Sequence, residues 1–377
     1  MKLIIINALP TSMIFGKKVD AWWFEKNGFE VEFLDISNIF FSNEEIISYY
    51  GGNTDYRYKA PNQTSVNSMT DLLKKLDDIN KNNSVIYYLS RSIYRTTKDE
   101  KVLKYIQSKN IILFFKAFET EPIPNNFYLN LVYKLRMLKR KINNINIKPD
   151  VYFGCGEVSR TLVTFIFPKT KFIPISSPKI EWQKKENVIQ KDYIVFVDES
   201  IEYEPDAKMQ NKVSCINLNA YYRRMNKLFD NLEEWLGILV IIGASGKYIY
   251  PENRFGDREI IYKKTFSLIE HATLVVGHTS SALDHNIKCK KPMLFIDDKS
   301  FTQYKRDGFK TAIPLIGNKI YMSDEVTKED IENILKKENK DFHRLVNDYF
   351  KEDGVNEDYR EIMAKAFREC IANKIQT

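Results

Sequence analysis

The residues best suited to chemistry lie in one short turn, Gly277-His278-Thr279-Ser280-Ser281-Ala282-Leu283. An apolar run ends at Gly277, and a helical pattern begins within Thr279–Ser281. Unpaired N–H groups at a helix start point past the end of the preceding strand. Three hydroxyls and the His278 imidazole add donors, a set that suits a diphosphate or another anion. The same residue types also serve as ordinary N-caps, and spacing alone leaves both readings open. Arg254, Arg258, Lys263 and Lys264 come shortly before the turn. A guanidinium can hold phosphate oxygens through two parallel hydrogen bonds, and Lys264 adds a point charge. No Asp-x-Asp motif is present, which argues against a metal-bridged diphosphate; Asp297 and Asp298 are adjacent and do not face one ion together. His271, His278 and His285 are seven apart, but the strand at Gly277 breaks the helical register between them, so no shared metal face is expected. No G-x-S-x-G marks a nucleophile. The candidate bases are carboxylates: Glu119 and Glu121 in KAFETEP, past an apolar run at Ile111–Phe115, and Glu157 in CGE, past Asp150–Gly154. Catalytic carboxylates favour such places in α/β sheets, and solvated surface glutamates occur there too.

The elements that must position these residues are legible from their periods. Ile238–Gly243, Leu274–Gly277 and Met293–Ile296 are too short for helices and read as buried parallel strands. Helical patterns cover about Ile260–His271 and Thr279–Lys288, which makes strand–helix–strand–helix–strand. The chain opens on a strand, Lys2–Asn7, a loop, a helix over about Lys17–Asn27 and a second strand, Phe29–Leu34. Its first loop, ALPTSMIFG, is not G-x-G-x-x-G, so the dinucleotide fingerprint is missing. Asn38–Asn67 shows no clear period and reads as an insertion or active-site loop. A helix is expected over Met69–Ile79, and strands over Ser84–Leu89 and Lys171–Pro174. Ile173–Tyr193 loses periodicity and gains charge, as a linker does. Tyr193–Val197 restarts as a strand ending in Asp198 and Glu199, and Tyr221–Leu236 is a cleanly amphipathic helix. Beyond Asp297 follow a loop, Lys299–Phe309, a weak strand near Ile320–Met322, a helix over about Lys328–Lys336 and two terminal helices. The expectation is an α/β chain of two Rossmann-like domains, 1–180 and 181–377, facing a cleft.

Composition narrows the function classes. The chain has 377 residues and a formal charge of +7 from 57 basic and 50 acidic side chains, too mild and interleaved an excess to argue for nucleic acid. Cys155, Cys215, Cys289 and Cys370 form no C-x-x-C pair, so neither a zinc site nor a disulfide framework is indicated, and a reducing cytoplasm fits. The apolar run in MKLIIINALP is too short for a signal peptide, and no run reaches the roughly 18 residues that span a bilayer. Asn126–Ile147 is a helix candidate with Leu131, Leu135 and Leu138 on one face and Lys134, Arg136, Lys139, Arg140 and Lys141 clustered behind. Such a helix can lie on an anionic membrane, or its cations can simply complement the helix dipole.

From VFVDES through YEPD, the YYRRMNKLFDNLEE helix, the VIIGAS strand and RFGDREIIYKKTFSLIEHATLVVGHTSSALDHNIKCKKPMLFI, the sequence resembles the C-terminal half of bacterial surface-polysaccharide (capsule and lipooligosaccharide) biosynthesis glycosyltransferases of the GT-B type. The likeness covers about residues 194–297, and the first half matches in layout only. It implies a metal-independent, cofactor-free glycosyltransferase in the cytoplasm, or peripheral on the inner membrane face. The nucleotide-sugar donor would dock on the C-terminal domain, and a glycan or lipid-linked glycan acceptor on the N-terminal one. His278, Thr279, Ser280 and Ser281 would hold the donor phosphate, with Arg254, Arg258 and Lys264 lining the same site. Relatives often carry His-Pro after the second strand of this domain; here the position reads Ala244-Ser245-Gly246, so that donor-phosphate contact would be either missing or replaced by Ser245 and Lys247. A sugar-nucleotide epimerase, a polyol-phosphate transferase and a non-catalytic partner in a glycan-assembly complex are the other readings of the same scaffold.

Overall fold

The computed structural model describes the chain apart from residues 12–15, 17–18, 51–56, 90–96, 117–133, 136, 140, 143–145, 178–187, 205–206, 208–211, 247, 252, 313–318, 337–342 and 377. The described residues fall into two compact units. One gathers those up to Ser177 together with those from Val346 onward; the other runs from Val188 to Leu345. The segment after Val346 thus belongs to the first unit, where a linear reading places it in a domain 181–377.

The first unit is built on a seven-stranded parallel sheet ordered β3-β2-β1-β4-β5-β6-β7. Its strands are β1 (Lys2–Asn7), β2 (Glu30–Asp35), β3 (Gln63–Ser65), β4 (Ser84–Leu89), β5 (Ile112–Lys116), β6 (Val151–Gly154) and β7 (Lys171–Pro174). Alternation within β1 divides the core. Leu3 and Ile5 face one layer with Phe114 and Phe153, while Ile4 and Ile6 face the other with Leu72, Leu103 and Val163. The second layer is covered by helices Met69–Asp77, Thr97–Ser108 and Gly156–Ile166. The first is covered by helix Ala21–Lys26 and by the last helix, Tyr359–Gln376. Phe367 of that last helix is fully buried and meets Phe114 edge-on at 4.6 Å and Phe24 at 5.5 Å. Three elements depart from the expected aperiodic stretch 38–67: the edge strand β3 and helices Ser37–Phe40 and Asn43–Tyr49, the latter held by a Ser42/Glu45 capping box.

The second unit repeats the plan with a six-stranded parallel sheet, β11-β9-β8-β12-β13-β14. Its strands are β8 (Tyr193–Val197), β9 (Leu239–Ala244), β11 (Ile260–Tyr262), β12 (Leu274–Gly277), β13 (Met293–Asp297) and β14 (Ile320–Met322); β10 (Arg254–Asp257) lies outside this order. Helix Leu218–Leu236 crosses from β8 to β9. Asn217 caps its start by accepting from the Ala220 N–H, and Gly237 at φ +67° ends it, a left-handed turn that glycine adopts without a Cβ clash. Its Tyr221, Met225, Leu228 and Leu232 are buried at helical spacing. The expected helix over Ile260–His271 is two elements, strand β11 and helix Thr265–His271. Ile260, Ile261 and Tyr262 pair with Ile242, Gly243 and Ala244 of β9, a β-branched and aromatic triplet suited to a sheet edge. The expected loop 299–309 holds most of helix Gln303–Ala312.

Both sheets therefore have their first strand flanked by the second and the fourth. The order reverses at β1/β4 and at β8/β12, and ligands of open α/β sheets bind beyond the carboxyl ends at such reversals.

Candidate functional site

At the reversal in the second sheet, Val197 of β8 is in register with Gly277 of β12. Asp198-Glu199 and His278-Thr279 therefore leave the sheet side by side. Glu199 turns toward the β12 turn. It accepts from the Thr279 backbone N–H and, at 3.2 Å, from the Thr279 hydroxyl, and it pairs with the Lys305 ammonium. Lys305 lies 3.7 Å from Glu204 as well, and its side chain is only 3 % exposed. Burial pushes the Glu199 carboxyl up, but Lys305 and the Thr279 N–H hold it below its ordinary value. Burial pushes Lys305 down, and the Glu199 and Glu204 carboxylates more than reverse that. The two donors of Thr279 are thus satisfied by an internal carboxylate.

His278 is fully buried. Its Nδ1 sits 2.6 Å from the Ile296 carbonyl and its Nε2 2.9 Å from the Tyr221 hydroxyl. A carbonyl only accepts, so Nδ1 carries the proton and Nε2 accepts from Tyr221. Burial lowers the His278 pKa, which keeps the ring neutral. Phe301 packs edge-on at 4.9 Å. The expected donor role of His278 is corrected here: the ring faces the core, and both nitrogens join β12 to β13 and to helix Leu218–Leu236.

Two more carboxylates are buried along the same edge. Asp198 accepts from the Tyr250 hydroxyl at 2.7 Å and the Ser200 N–H at 3.1 Å, and burial pushes it up to about 6. Asp298 accepts from Arg224 through Nε at 2.8 Å and Nη2 at 2.5 Å, and from Ser323 at 2.6 Å. Burial raises Asp298, but the Arg224 and Ser323 hydrogen bonds hold it below the ordinary carboxylate range. A buried ion is tolerated when it is paired and hydrogen-bonded, and these networks fix the loops that end β8, β12 and β13.

The structure sorts the expected site residues by which end of the sheet they occupy. Ser245 follows β9 and is half-buried, Lys264 follows β11 and is exposed, and Thr279 and Ser280 follow β12 half-buried. All four belong to the carboxyl edge. The Ser280 hydroxyl accepts from the Ala282 N–H at 3.3 Å, where the turn Ser281–Leu283 leads into helix Asp284–Cys289. Arg254 is held by Glu202 through two hydrogen bonds, at 3.0 and 2.8 Å, and lies over the Tyr222 ring. Arg258 is at the opposite end. It pairs with Asp230 and Glu233, both at 2.6 Å, and Glu233 also accepts from the N–H of Val240 near the start of β9. Its expected place beside the turn is corrected by that register, because it sits at the amino end of a parallel sheet. In the first unit, Glu157 is exposed in the first turn of helix Gly156–Ile166, past β6. Glu119, Glu121 and Lys247 lie outside the described residues.

Sequence reasoning noted Asp198, Glu199 and Asp298 only as acidic strand ends and missed their partners. The signal for the carboxylates was available, because charges directly after fully apolar strands need partners. Lys305 and Arg224 carried no local signal. In the basic stretch, Leu135, Leu138 and Ile142 are exposed while Met137 is buried, and Lys134 and Lys139 flank them exposed. Among the described residues, no helix is long and apolar enough to cross a membrane.

No family model and no curated relative matches the chain. Solved structures do. The UDP-GlcNAc 2-epimerase of Methanocaldococcus jannaschii aligns over 98 % of this chain and 100 % of its own with a TM-score of 0.52 at 12 % identity. Spinosyn forosaminyltransferase aligns over 99 % of both chains, also at 0.52 and 12 %. The glycotransferase of kitacinnamycin aligns over 100 % of this chain and 98 % of its own at 0.51 and 9 %. The fold is GT-B-like. At these identities the likeness is one of fold, two Rossmann-like domains each on its own parallel sheet, as expected from the sequence.

Proposed function

We propose that the chain transfers a sugar from a nucleotide-activated donor to a growing bacterial surface glycan or its lipid-linked precursor, without a metal at the donor phosphate. The observation that carries this reading is the Thr279–Ser280 turn at the strand-order reversal of the second sheet, held by the buried Glu199–Lys305 pair. Preorganised N–H groups, hydroxyls and cations stabilise the charge that develops on a departing nucleotide phosphate. In this reading Ser280, Ser281, Ser245 and Lys264 receive the phosphate, and Thr279 positions the turn through Glu199. An acceptor hydroxyl then bonds to the anomeric carbon, the nucleotide leaves with the bonding electrons, and a carboxylate takes the hydroxyl proton if the reaction inverts. Glu119, Glu121 and Glu157 are the candidates for that carboxylate. A lipid-linked acceptor accords with the exposed Leu135–Ile142 face and its lysines, which would rest on an anionic membrane surface.

A second reading is favoured by the equal likeness to a UDP-GlcNAc 2-epimerase, namely turnover of the nucleotide sugar with no acceptor. The test is thermal stabilisation against UDP, GDP, CMP, CDP and dTDP, with and without EDTA. A ligand that binds only the folded state raises the melting temperature by mass action. The transferase reading expects one nucleotide to raise it, by an increment EDTA leaves unchanged and Ser280→Ala with Ser281→Ala removes. Consumption of UDP-GlcNAc without acceptor would transfer the weight to the epimerase, and no increment with any nucleotide would defeat both.

A further inference from the structure

Helices Thr265–His271 and Asp284–Cys289 pack against each other on the second unit. Where they meet, Glu270 from the first faces His285 and Cys289 from the second, and the ligating atoms of all three lie within 4.8 Å of one another. His285 and Cys289 are four apart, so one helical turn stacks them on the same face. The His285 Nε2 is 3.0 Å from a Glu270 carboxylate oxygen, and the two side chains are 0 % and 8 % exposed. Phe266 meets the imidazole edge-on at 5.1 Å and fixes its plane. Cys289 is half-buried at the edge of the core of this unit.

We propose that Glu270, His285 and Cys289 bind a zinc ion. One carboxylate oxygen, one imidazole nitrogen and one thiolate sulfur form a mixed donor set that suits a borderline ion and does not suit magnesium or calcium. Tetrahedral zinc takes such ligands at about 2.0–2.3 Å, which places neighbouring ligand atoms roughly 3.3–3.6 Å apart, so small rotamer changes suffice. A water takes the fourth position. Binding breaks the Cys289 S–H bond; the sulfur keeps the electron pair and donates it to zinc, and the proton passes to solvent. Because the thiol and the imidazole must both be free of the proton they would otherwise hold, the affinity falls as the solution is acidified. Helix Asp284–Cys289 begins directly after the Ser281–Leu283 turn, so the ion would brace the helix that continues from Thr279–Ser280. This site shares no residue with the proposed donor site, and either can fail alone.

The test uses the full-length chain without a histidine tag, stripped with chelator and dialysed, then titrated with cobalt(II) and with zinc. We expect one cobalt per chain with a near-ultraviolet thiolate-to-cobalt charge-transfer band, displaced by one equivalent of zinc. Outer-shell partners of a metal cost roughly 10–100-fold when removed. Losing a direct ligand in Cys289→Ser should therefore abolish the band and weaken zinc binding by at least about 100-fold. Cys370→Ser, in the last helix, should change neither. A stripped wild-type chain with unchanged circular dichroism and no thiolate band, or a band that survives Cys289→Ser, overturns the proposal; the wild-type titration decides even if the variant does not fold.

Discussion

Asp198→Asn isolates what a buried carboxyl does at the end of β8. Asp198 is 5 % exposed, and burial pushes its pKa from 3.8 up to about 6. At about 1.4 kcal/mol per pH unit, ionising it in the folded chain costs about 3 kcal/mol more than in the unfolded chain. The sign follows from linkage: between the two values the folded state binds more protons. The stability contributed by the neutral acid is present in full below the unfolded value and is lost as pH rises through about 6. Asparagine keeps an oxygen to accept from Tyr250 and Ser200 but carries no charge. The variant should match the wild type to within about 1 kcal/mol near pH 4 and exceed it by roughly 2–3 kcal/mol near pH 7.5. Urea unfolding at stepped pH measures this, read by the fluorescence of Trp235, half-buried in the same unit. A difference between the two proteins that does not change with pH would refute the argument.

Lys305→Met leaves the Glu199 carboxylate buried without its ammonium and should cost about 3–5 kcal/mol, while Glu199→Gln with Lys305→Met should recover part of the loss; a double-mutant cycle by urea denaturation measures the coupling. Phe367→Ala empties a fully buried ring position against Phe114 and Phe24 and should cost about 3–5 kcal/mol, confined to the first unit as read by hydrogen exchange. Co-sedimentation with anionic vesicles should be strong at low salt, weak at high salt and reduced several-fold by Leu135→Ser with Ile142→Ser; equal sedimentation with neutral vesicles would count against the membrane proposal.

Strands whose two faces are both buried were the most legible elements. Lys2–Asn7, Ser84–Leu89, Tyr193–Val197 and Leu274–Gly277 were read with the bounds they have, because burial on both faces demands an unbroken apolar run. Two edge strands were legible, Lys171–Pro174 and Ile320–Met322, and two were not. Gln63–Ser65 is polar and pairs on one side only, and Ile260–Tyr262 resembles a helix start until β9 supplies its partner. In the turn, residue types pointed correctly to hydrogen bonding but not to its recipient. One position past Gly277 the His278 ring points into the core, and one further the Thr279 donors meet Glu199, eighty residues earlier in the chain. Arg258 follows the same logic. Its nearness in sequence to the turn says nothing of its place along the strands, which parallel pairing sets at the amino end. Tyr359–Gln376 reads as one of two terminal helices, and nothing in its sequence shows which of two cores receives it.

That last helix has a consequence for the order of events during synthesis. Phe367 and Met363 complete one face of the first sheet, yet they are translated only after the whole of the second unit. Domains commonly fold as they emerge, the N-terminal one first. Here the first seven strands would leave the ribosome with Phe114 and Phe153 bare on one side, and would stay so until the final turns of helix arrive. Among the described residues, the core of the second unit draws on neither end of the chain, so it is free to fold earlier. The half made first would thus be finished last, and a nascent chain stalled before residue 359 would be the species most exposed to aggregation and to chaperones.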